Sequence, residues 1–161
     1  MRKKNYVRTT LLLLLSLLLG GPTLASAPEA SLDFQIKYGI LKQVGPEKFV
    51  VVKETTNIPF ITRKEQPGFM FGYIVTSKVG DFVEYSRLTS PVPARSTGNA
   101  VHYGEIKDGK LVVSSQKTRW PGHMYSVLQL DEGDPKGEYK FEVFINNVLF
   151  RTLVFQVGNG G

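Results

Sequence analysis

Two histidines, His102 and His123, are the residues of this chain best suited to acid–base chemistry near neutral pH. With a serine or a carboxylate as partner, either histidine could act as the general base of a small hydrolase. The sequence has neither a Gly-x-Ser-x-Gly nucleophile elbow nor a His-x-x-x-His pair, so no motif fixes such a partner. The pattern favours structural histidines, and a hydrolase using His102 or His123 is the alternative.

Metal and thiol chemistry have little support in the composition. The 161 residues contain no cysteine, which excludes disulfides, cysteine-ligated zinc, iron–sulfur clusters and thiol catalysis. The densest acidic cluster is the stretch 131–134, and Ca²⁺ binds in turns that offer about six to eight oxygen ligands. The spacing is not that of an EF-hand loop. We therefore predict an ordinary solvated turn, no metal and no cofactor.

The single tryptophan, Trp120, lies in a polar and turn-rich stretch, residues 117–123. Tryptophan and arginine are common in binding interfaces, and tryptophan also stacks on sugar rings. The predicted contact surface consists of four side chains: Arg119, Trp120, His123 and Tyr125. The alternative for Trp120 is a ring packed against the end of the core.

The elements that must position these residues are strands. Apolar and polar residues alternate with the period of half-buried strands, and no apolar stripe of helical spacing runs over three turns beyond the N-terminal segment. The predicted strands cover residues 32–38, 49–56, 69–75, 82–85, 101–106, 110–116, 124–130, 139–145 and 148–157. About eight or nine strands with regular turn signals indicate an all-β, antiparallel, immunoglobulin-like sandwich.

Two dipeptides predict tight hairpins between neighbouring strands. Asp108-Gly109 and Asn146-Asn147 consist of residues that tolerate positive φ, as a two-residue hairpin turn requires. The stretch 86–99 contains Pro91, Pro93 and Gly98, and we predict a loop or an edge segment there.

The N-terminal segment has the three parts of a secretory signal peptide. Four basic residues precede a leucine run at 11–19, and small residues follow, so we expect cleavage after Ala25 or Ala27. At about 1.5 Å per residue, that run covers roughly half of a hydrocarbon core. We therefore predict a signal peptide at 1–27, one sandwich domain with short flexible ends at 28–161, and a periplasmic or extracellular location.

Removal of the signal peptide changes the charge of the protein. Four of the 20 basic residues and none of the 14 acidic ones lie in it, which leaves a net charge of +2 instead of +6. The remaining basic residues are dispersed, with Arg63-Lys64 the only adjacent pair. A nucleic-acid-binding protein would need a clustered basic face, so no nucleic-acid partner is expected. No second apolar run follows the signal, so no membrane span is expected either.

The closing part of the chain resembles the last hairpin of an immunoglobulin-like sandwich. Tyr139 follows Gly137 at the start of an alternating strand, and it resembles the tyrosine corner, whose hydroxyl group bonds to upstream backbone. Together with other short motifs, this stretch resembles a family of short secreted bacterial immunoglobulin-like domains of unknown function. The other motifs are Tyr38-Gly39, Thr56-Asn57-Ile58-Pro59, Phe71-Gly72-Tyr73 and Pro91. The resemblance implies a sandwich and supplies no catalytic residues.

These observations favour a secreted, non-enzymatic binding or protein-interaction module whose partner is an envelope protein or a glycan. An inhibitor or chaperone-like binder of an envelope protein is a further alternative, which differs only in its partner. Without disulfides the stability must come from the apolar core. Replacing Phe141 or Phe144, whichever faces inward, with alanine is therefore expected to cost about 3–5 kcal/mol.

Overall fold

The computed structural model of the protein describes residues 33–91 and 103–158, which form eleven β-strands and no helix. In chain order the strands are β1 (Phe34–Gly45), β2 (Lys48–Lys53), β3 (Asn57–Ile58), β4 (Met70–Ser77), β5 (Phe82–Pro91), β6 (Tyr103–Lys107), β7 (Lys110–Ser114), β8 (Thr118–Trp120), β9 (His123–Leu128), β10 (Gly137–Ile145) and β11 (Val148–Val157). The predicted signal peptide with its expected cleavage sites and residues 159–161 lie outside the described residues.

The strands form two sheets that pack face to face. Sheet A has the order β2-β1-β4-β9, and sheet B has the order β3-β11-β10-β5-β7-β6, with β8 also paired to β5. All pairs are antiparallel except β3 with β11, which is parallel. The predicted all-β sandwich is confirmed. The strand count exceeds the predicted eight or nine because β3 and β8 have only two and three residues, too few to show an alternation.

The core lies between the sheets and follows the alternation along each strand. On β10, for example, Tyr139, Phe141, Val143 and Ile145 are buried, and the residues between them are more exposed. Rings from both sheets meet edge to face, as in Tyr73 with Phe141 at 5.4 Å between centroids. The burial of large aromatic rings from both layers is the main source of stability in a domain without disulfides.

The three predicted turn features are present. Asp108-Gly109 joins β6 to β7 with φ values of 50° and 69°, and Asn146-Asn147 joins β10 to β11 with φ values of 50° and 68°. The hydroxyl group of Tyr139 donates a hydrogen bond of 2.8 Å to the carbonyl oxygen of Pro135, which confirms the tyrosine corner. Both tight hairpins therefore form where the sequence places them.

The prediction of a loop or an edge segment beginning at Ser86 is wrong for its first six residues. Strand β5 continues to Pro91 in the interior of sheet B, between β10 on one side and β7 and β8 on the other. The small hydroxyl side chains of Ser86 and Ser90 occupy inward positions and are buried, so the strand lacks the apolar alternation of its neighbours. Proline is tolerated at Pro91 because it is the last residue of the strand.

A pair of glycines brings the strands of sheet A together. Gly39 of β1 is the register partner of Gly72 of β4, and their φ values are 137° and 152°. A Cβ atom on Gly72 would overlap the carbonyl oxygen of Ser126, and one on Gly39 would overlap that of Lys53. Gly39 therefore does not end its strand, which continues to Gly45.

Among the residues that the structure describes, no helix is long and apolar enough to cross a membrane.

Candidate functional site

Arg119 and Trp120, two of the predicted contact residues, lie on β8 and point in different directions. Trp120 is the register partner of the buried Phe82 and packs against the core, so its ring faces the space between the sheets. Arg119 alternates with it and faces solvent, where its Nε lies 3.3 Å from a carboxylate oxygen of Asp81. The indole of Trp120 thus occupies the core position that the sequence left open as its alternative.

The other two predicted contact residues lie on sheet A. His123 and Tyr125 flank the buried Met124 on β9, so both point away from the core. The ring of Tyr125 lies 4.3 Å from that of Phe49 on the outer side of the sheet. Because β8 belongs to sheet B and β9 to sheet A, the structure does not bring the four predicted contact residues onto one surface.

The histidines offer little geometry for a hydrolase in the described part of the chain. The side chain of His123 is exposed and makes no hydrogen bond or ion pair with any other described residue. A general base needs a partner or substrate group at hydrogen-bond distance. His102 lies outside the described residues. The hydrolase alternative therefore gains no partner for His123.

The acidic turn at 131–134 is held by the adjacent basic pair. The guanidinium group of Arg63 donates three hydrogen bonds of 2.7–3.0 Å to the carboxylate of Asp131, and Lys64 contacts Glu132 at 2.8 Å. The backbone N–H of Asp131 donates to the carboxylate of Asp134 at 2.7 Å. Within residues 33–91 and 103–158 there is no group of three acidic, histidine or cysteine side chains that could hold a metal ion.

The most unusual ionisable group of the described structure is Glu84, which sequence reasoning did not single out. Its side chain points between the sheets and is 4% exposed. The hydroxyl group of the fully buried Tyr73 donates a hydrogen bond of 2.9 Å to Oε1 of Glu84. The buried Nε1–H of Trp120 lies near this carboxyl group but makes no hydrogen bond with any described group.

Burial changes the ionisation of this cluster. Loss of hydration raises the pKa of Glu84 to about 7, although the polar hydrogens of Tyr73 and Trp120 offset part of the effect. The same loss of hydration, together with the nearby Glu84 carboxylate, raises the pKa of Tyr73 well above its ordinary value. The cluster is closed to solvent, so a substrate could not reach it. We interpret it as a structural group whose charge state affects stability.

The sequence did contain a signal for the position of Glu84. In the stretch Phe82 to Tyr85 the alternation places Glu84 on the same face as Phe82, which is an inward position. A carboxylate at an inward position is a buried acid unless the strand lies at an edge. Its partner Tyr73 comes from the other sheet, and only the packing of the sheets brings the two side chains together.

The outer face of sheet B carries a polar groove of about 750 Å³. We call it the sheet B groove. It runs from Glu138, Lys140 and Glu142 of β10, across Thr89 of β5 and Val112 of β7, to Glu105 of β6. The β6–β7 turn adds Lys107 and Lys110 to one end. Charged side chains of both signs line the groove, and they include Arg87 on the same strand as Thr89.

An aromatic pair lies on the same face, beside the groove. Tyr85 and Phe144 are register partners on β5 and β10, and their rings are parallel with centroids 4.5 Å apart. Lys117 lies over the ring of Tyr85 at 5.2 Å, and Arg87 lies over that of Phe144 at 5.8 Å. Arg87 also lines the groove. The cations contact the aromatic rings, so this pair forms a packed ladder at the end of the groove.

Two facing β-sheets and a tyrosine corner together define an immunoglobulin-like β-sandwich domain. Residues 36–158 match the family model described as the PM0630 beta sandwich domain. The chain belongs to this β-sandwich family, which confirms the family resemblance seen in the sequence.

The chain is similar to an immunoglobulin-like protein from Pseudomonas aeruginosa, with 17% sequence identity and a TM-score of 0.44. The similarity covers 76% of this chain and 91% of the other. A search of curated proteins found no match.

Proposed function

We propose that this protein is a secreted, non-enzymatic binding module that holds an envelope protein or a glycan in the sheet B groove. The observation that carries the proposal is the groove itself. Its volume of about 750 Å³ is in the range of ligand sites, and its polar walls face solvent on one side of the sandwich. An inhibitor or a chaperone-like binder of an envelope protein would use the same surface.

The charges of the groove support a recognition role. Arg87 and Lys140 both approach Glu142, at 3.5 and 3.7 Å. Glu138 and Lys110, on opposite walls, form no ion pair with another described residue. Such groups are available to a ligand without first breaking an internal contact, and charges of both signs select against ligands with only one.

Two observations favour binding over catalysis. The described histidine, His123, is exposed and lacks a carboxylate or hydroxyl partner among the described residues. The carboxyl group with the most altered pKa, that of Glu84, is sealed between the sheets.

The leucine-rich N-terminal segment supports secretion. Intact-mass analysis of the exported protein is expected to find Ser26 or Pro28 as its first residue.

Site-specific photocrosslinking in cells tests the groove. We would place p-benzoylphenylalanine at Thr89, in the floor of the groove, and separately at Thr76, an exposed residue on the outer face of sheet A. The expected result is a discrete adduct at Thr89 and none at Thr76. Mass spectrometry of the adduct then distinguishes a protein from a glycan partner.

A double variant that removes one charge of each sign from the groove makes the test specific. Glu138→Gln combined with Lys110→Gln leaves the net charge unchanged and is expected to reduce the Thr89 adduct several-fold. Thr76 is the register partner of His123. An adduct at Thr76 alone would indicate that the contact surface is formed by His123 and Tyr125. That result, or an adduct yield at Thr89 independent of the charge variants, would refute the groove as the binding surface.

A further inference from the structure

The hairpin of β1 and β2 exposes three valines. Val44, Val50 and Val52 are 50%, 37% and 56% exposed, although valine is usually a core residue. Val50 is the register partner of Lys42 on β1. Val44 and Val52 lie at the two register irregularities of the hairpin, one on each side of the Lys42–Val50 pair, so the three exposed valines cluster on this hairpin.

The core of the domain does not need these valines. The opposite face of the hairpin already packs on the outer side of sheet A. There, Leu41 is 2% exposed and pairs with Val51, and Phe49 contacts Tyr125. The exposed valines point away from this contact. A polar β-former such as threonine would occupy their positions without loss of packing, so the structure itself gives no reason for valine.

The charged residues on this face are basic. Lys42 and Lys48 lie on the same face as Val50, and both are exposed. Neither β1 nor β2 contains a carboxylate residue, and Glu47 and Glu54 lie in the turn and just beyond the end of β2. We call the set Lys42, Val44, Lys48, Val50 and Val52 the valine face. A second copy of it would bring lysine against lysine, which disfavours self-association through this face.

We propose that the valine face docks on the surface of an anionic lipid membrane. Valine side chains can enter the boundary between headgroups and acyl chains, while the lysine stems lie along the apolar surface and their ammonium groups contact lipid phosphates. The exposed valines and the lysines of the two strands are complementary to that surface. This inference is independent of the sheet B groove.

The two surfaces belong to different sheets. The valine face lies on the hairpin at the edge of sheet A, and the groove lies on sheet B, so they have no residue in common. Membrane docking and ligand binding can then occur together.

The absence of cysteine makes a direct test possible, because a single introduced cysteine can be labelled uniquely. An environment-sensitive nitrobenzoxadiazole dye would be attached at Val50→Cys and, as a matched control, at Val148→Cys, an equally apolar exposed site on β11. With vesicles of phosphatidylglycerol and phosphatidylethanolamine, we expect the emission at position 50 to shift to shorter wavelength and rise at least two-fold. Position 148 should not respond, and neither should position 50 with phosphatidylcholine vesicles.

Two further variants separate the contributions to docking. Lys42→Gln with Lys48→Gln should reduce binding of the labelled protein to anionic vesicles at least five-fold, and 0.5 M NaCl should have a similar effect. Lys64→Gln with Lys78→Gln removes the same charge at exposed positions outside both surfaces and should leave binding nearly unchanged. The position-specific dye also separates hairpin insertion from any binding by the leucine-rich segment. No response at position 50, or an equal response at position 148, would overturn the proposal. This holds even if a protein partner is later found on this face.

Discussion

Glu84 carries its carboxyl group between the two sheets, where Tyr73 donates a hydrogen bond to it. Its pKa is about 7 in the folded protein and near 4.5 in an unfolded chain, so the folded state retains the proton over this interval. The contribution of Glu84 to the free energy of unfolding is therefore fully present below about pH 4.5, and it decreases as the pH rises toward 7. The difference corresponds to roughly 3 kcal/mol at pH 8.

We predict that Glu84→Gln removes most of this pH dependence. The glutamine carbonyl can still accept the hydrogen bond from Tyr73, but the side chain cannot ionise. Between pH 5 and pH 8, urea unfolding should show a loss of roughly 2.5 kcal/mol in the unmodified protein and less than about 1 kcal/mol in the variant. Glu138→Gln, at an exposed position of the same sheet, should retain the original dependence. Equal slopes for the original protein and the Glu84 variant would show that this carboxyl group ionises normally.

At the scale of the element, strands β1, β4 and β9 approach closely at the Gly39–Gly72 pair. Both glycines adopt positive φ, a region that other residues enter at a cost, and neither position has space for a Cβ atom. The glycines in Tyr38-Gly39 and Phe71-Gly72-Tyr73, noted from the sequence, thus have a backbone role.

We predict that Gly72→Ala destabilises the domain by more than about 3 kcal/mol, because backbone strain and an overlap with the carbonyl oxygen of Ser126 add together. Chemical denaturation would measure the loss. Gly104→Ala on β6 is the matched control, since its added Cβ would meet side chains at ordinary contact distances from 3.4 Å. A loss below 1 kcal/mol at Gly72 would mean that β4 and β9 can separate without penalty.

Strand β10 allows a second test at the same scale. Phe141 is 2% exposed and faces the core, whereas Phe144 stacks on Tyr85 on the outer face. Phe141→Ala should therefore cost about 3–5 kcal/mol, and Phe144→Ala should cost on the order of 1 kcal/mol. Urea titration of both variants measures the difference. Similar losses at the two positions would contradict the assigned faces of the strand.

At the scale of the whole molecule, one edge of sheet B is formed mainly by β11. The short strand β3 pairs with β11 only at Gln156 and Val157. The rest of this edge could pair with another chain. Two features protect it. First, a bulge at Phe150 interrupts the register with β10. Second, Arg151 is the register partner of the buried Val143, so its side chain lies on the core side of the strand although it is exposed. A charge pointing toward the core side of an edge strand opposes pairing with a second sheet.

We predict that Arg151→Val increases self-association, because it removes the only charge of β11. Sedimentation velocity at about 100 µM should detect dimers or larger species that the original protein lacks. Arg151→Lys retains the charge and should behave like the original. If the valine variant sediments unchanged, the bulge alone protects this edge.

Local features of the sequence determined much of this architecture. The alternation of period two identified the long strands, since it depends only on one buried face. Asp108-Gly109 and Asn146-Asn147 fixed two hairpins because their residues tolerate positive φ. The same alternation failed where small serines replaced apolar residues in β5, and it could not detect strands of two or three residues.

The tertiary structure alone decided which distant residues meet. It separated Trp120 from Tyr125 by placing β8 and β9 in different sheets, and it brought Tyr73 against Glu84. The groove likewise combines β10, β5, β7 and β6, which are not all neighbours in the chain. Sequence periodicity assigns a side chain to one face of its own strand. The order of strands depends on the packing free energy of the whole chain, which no local pattern contains.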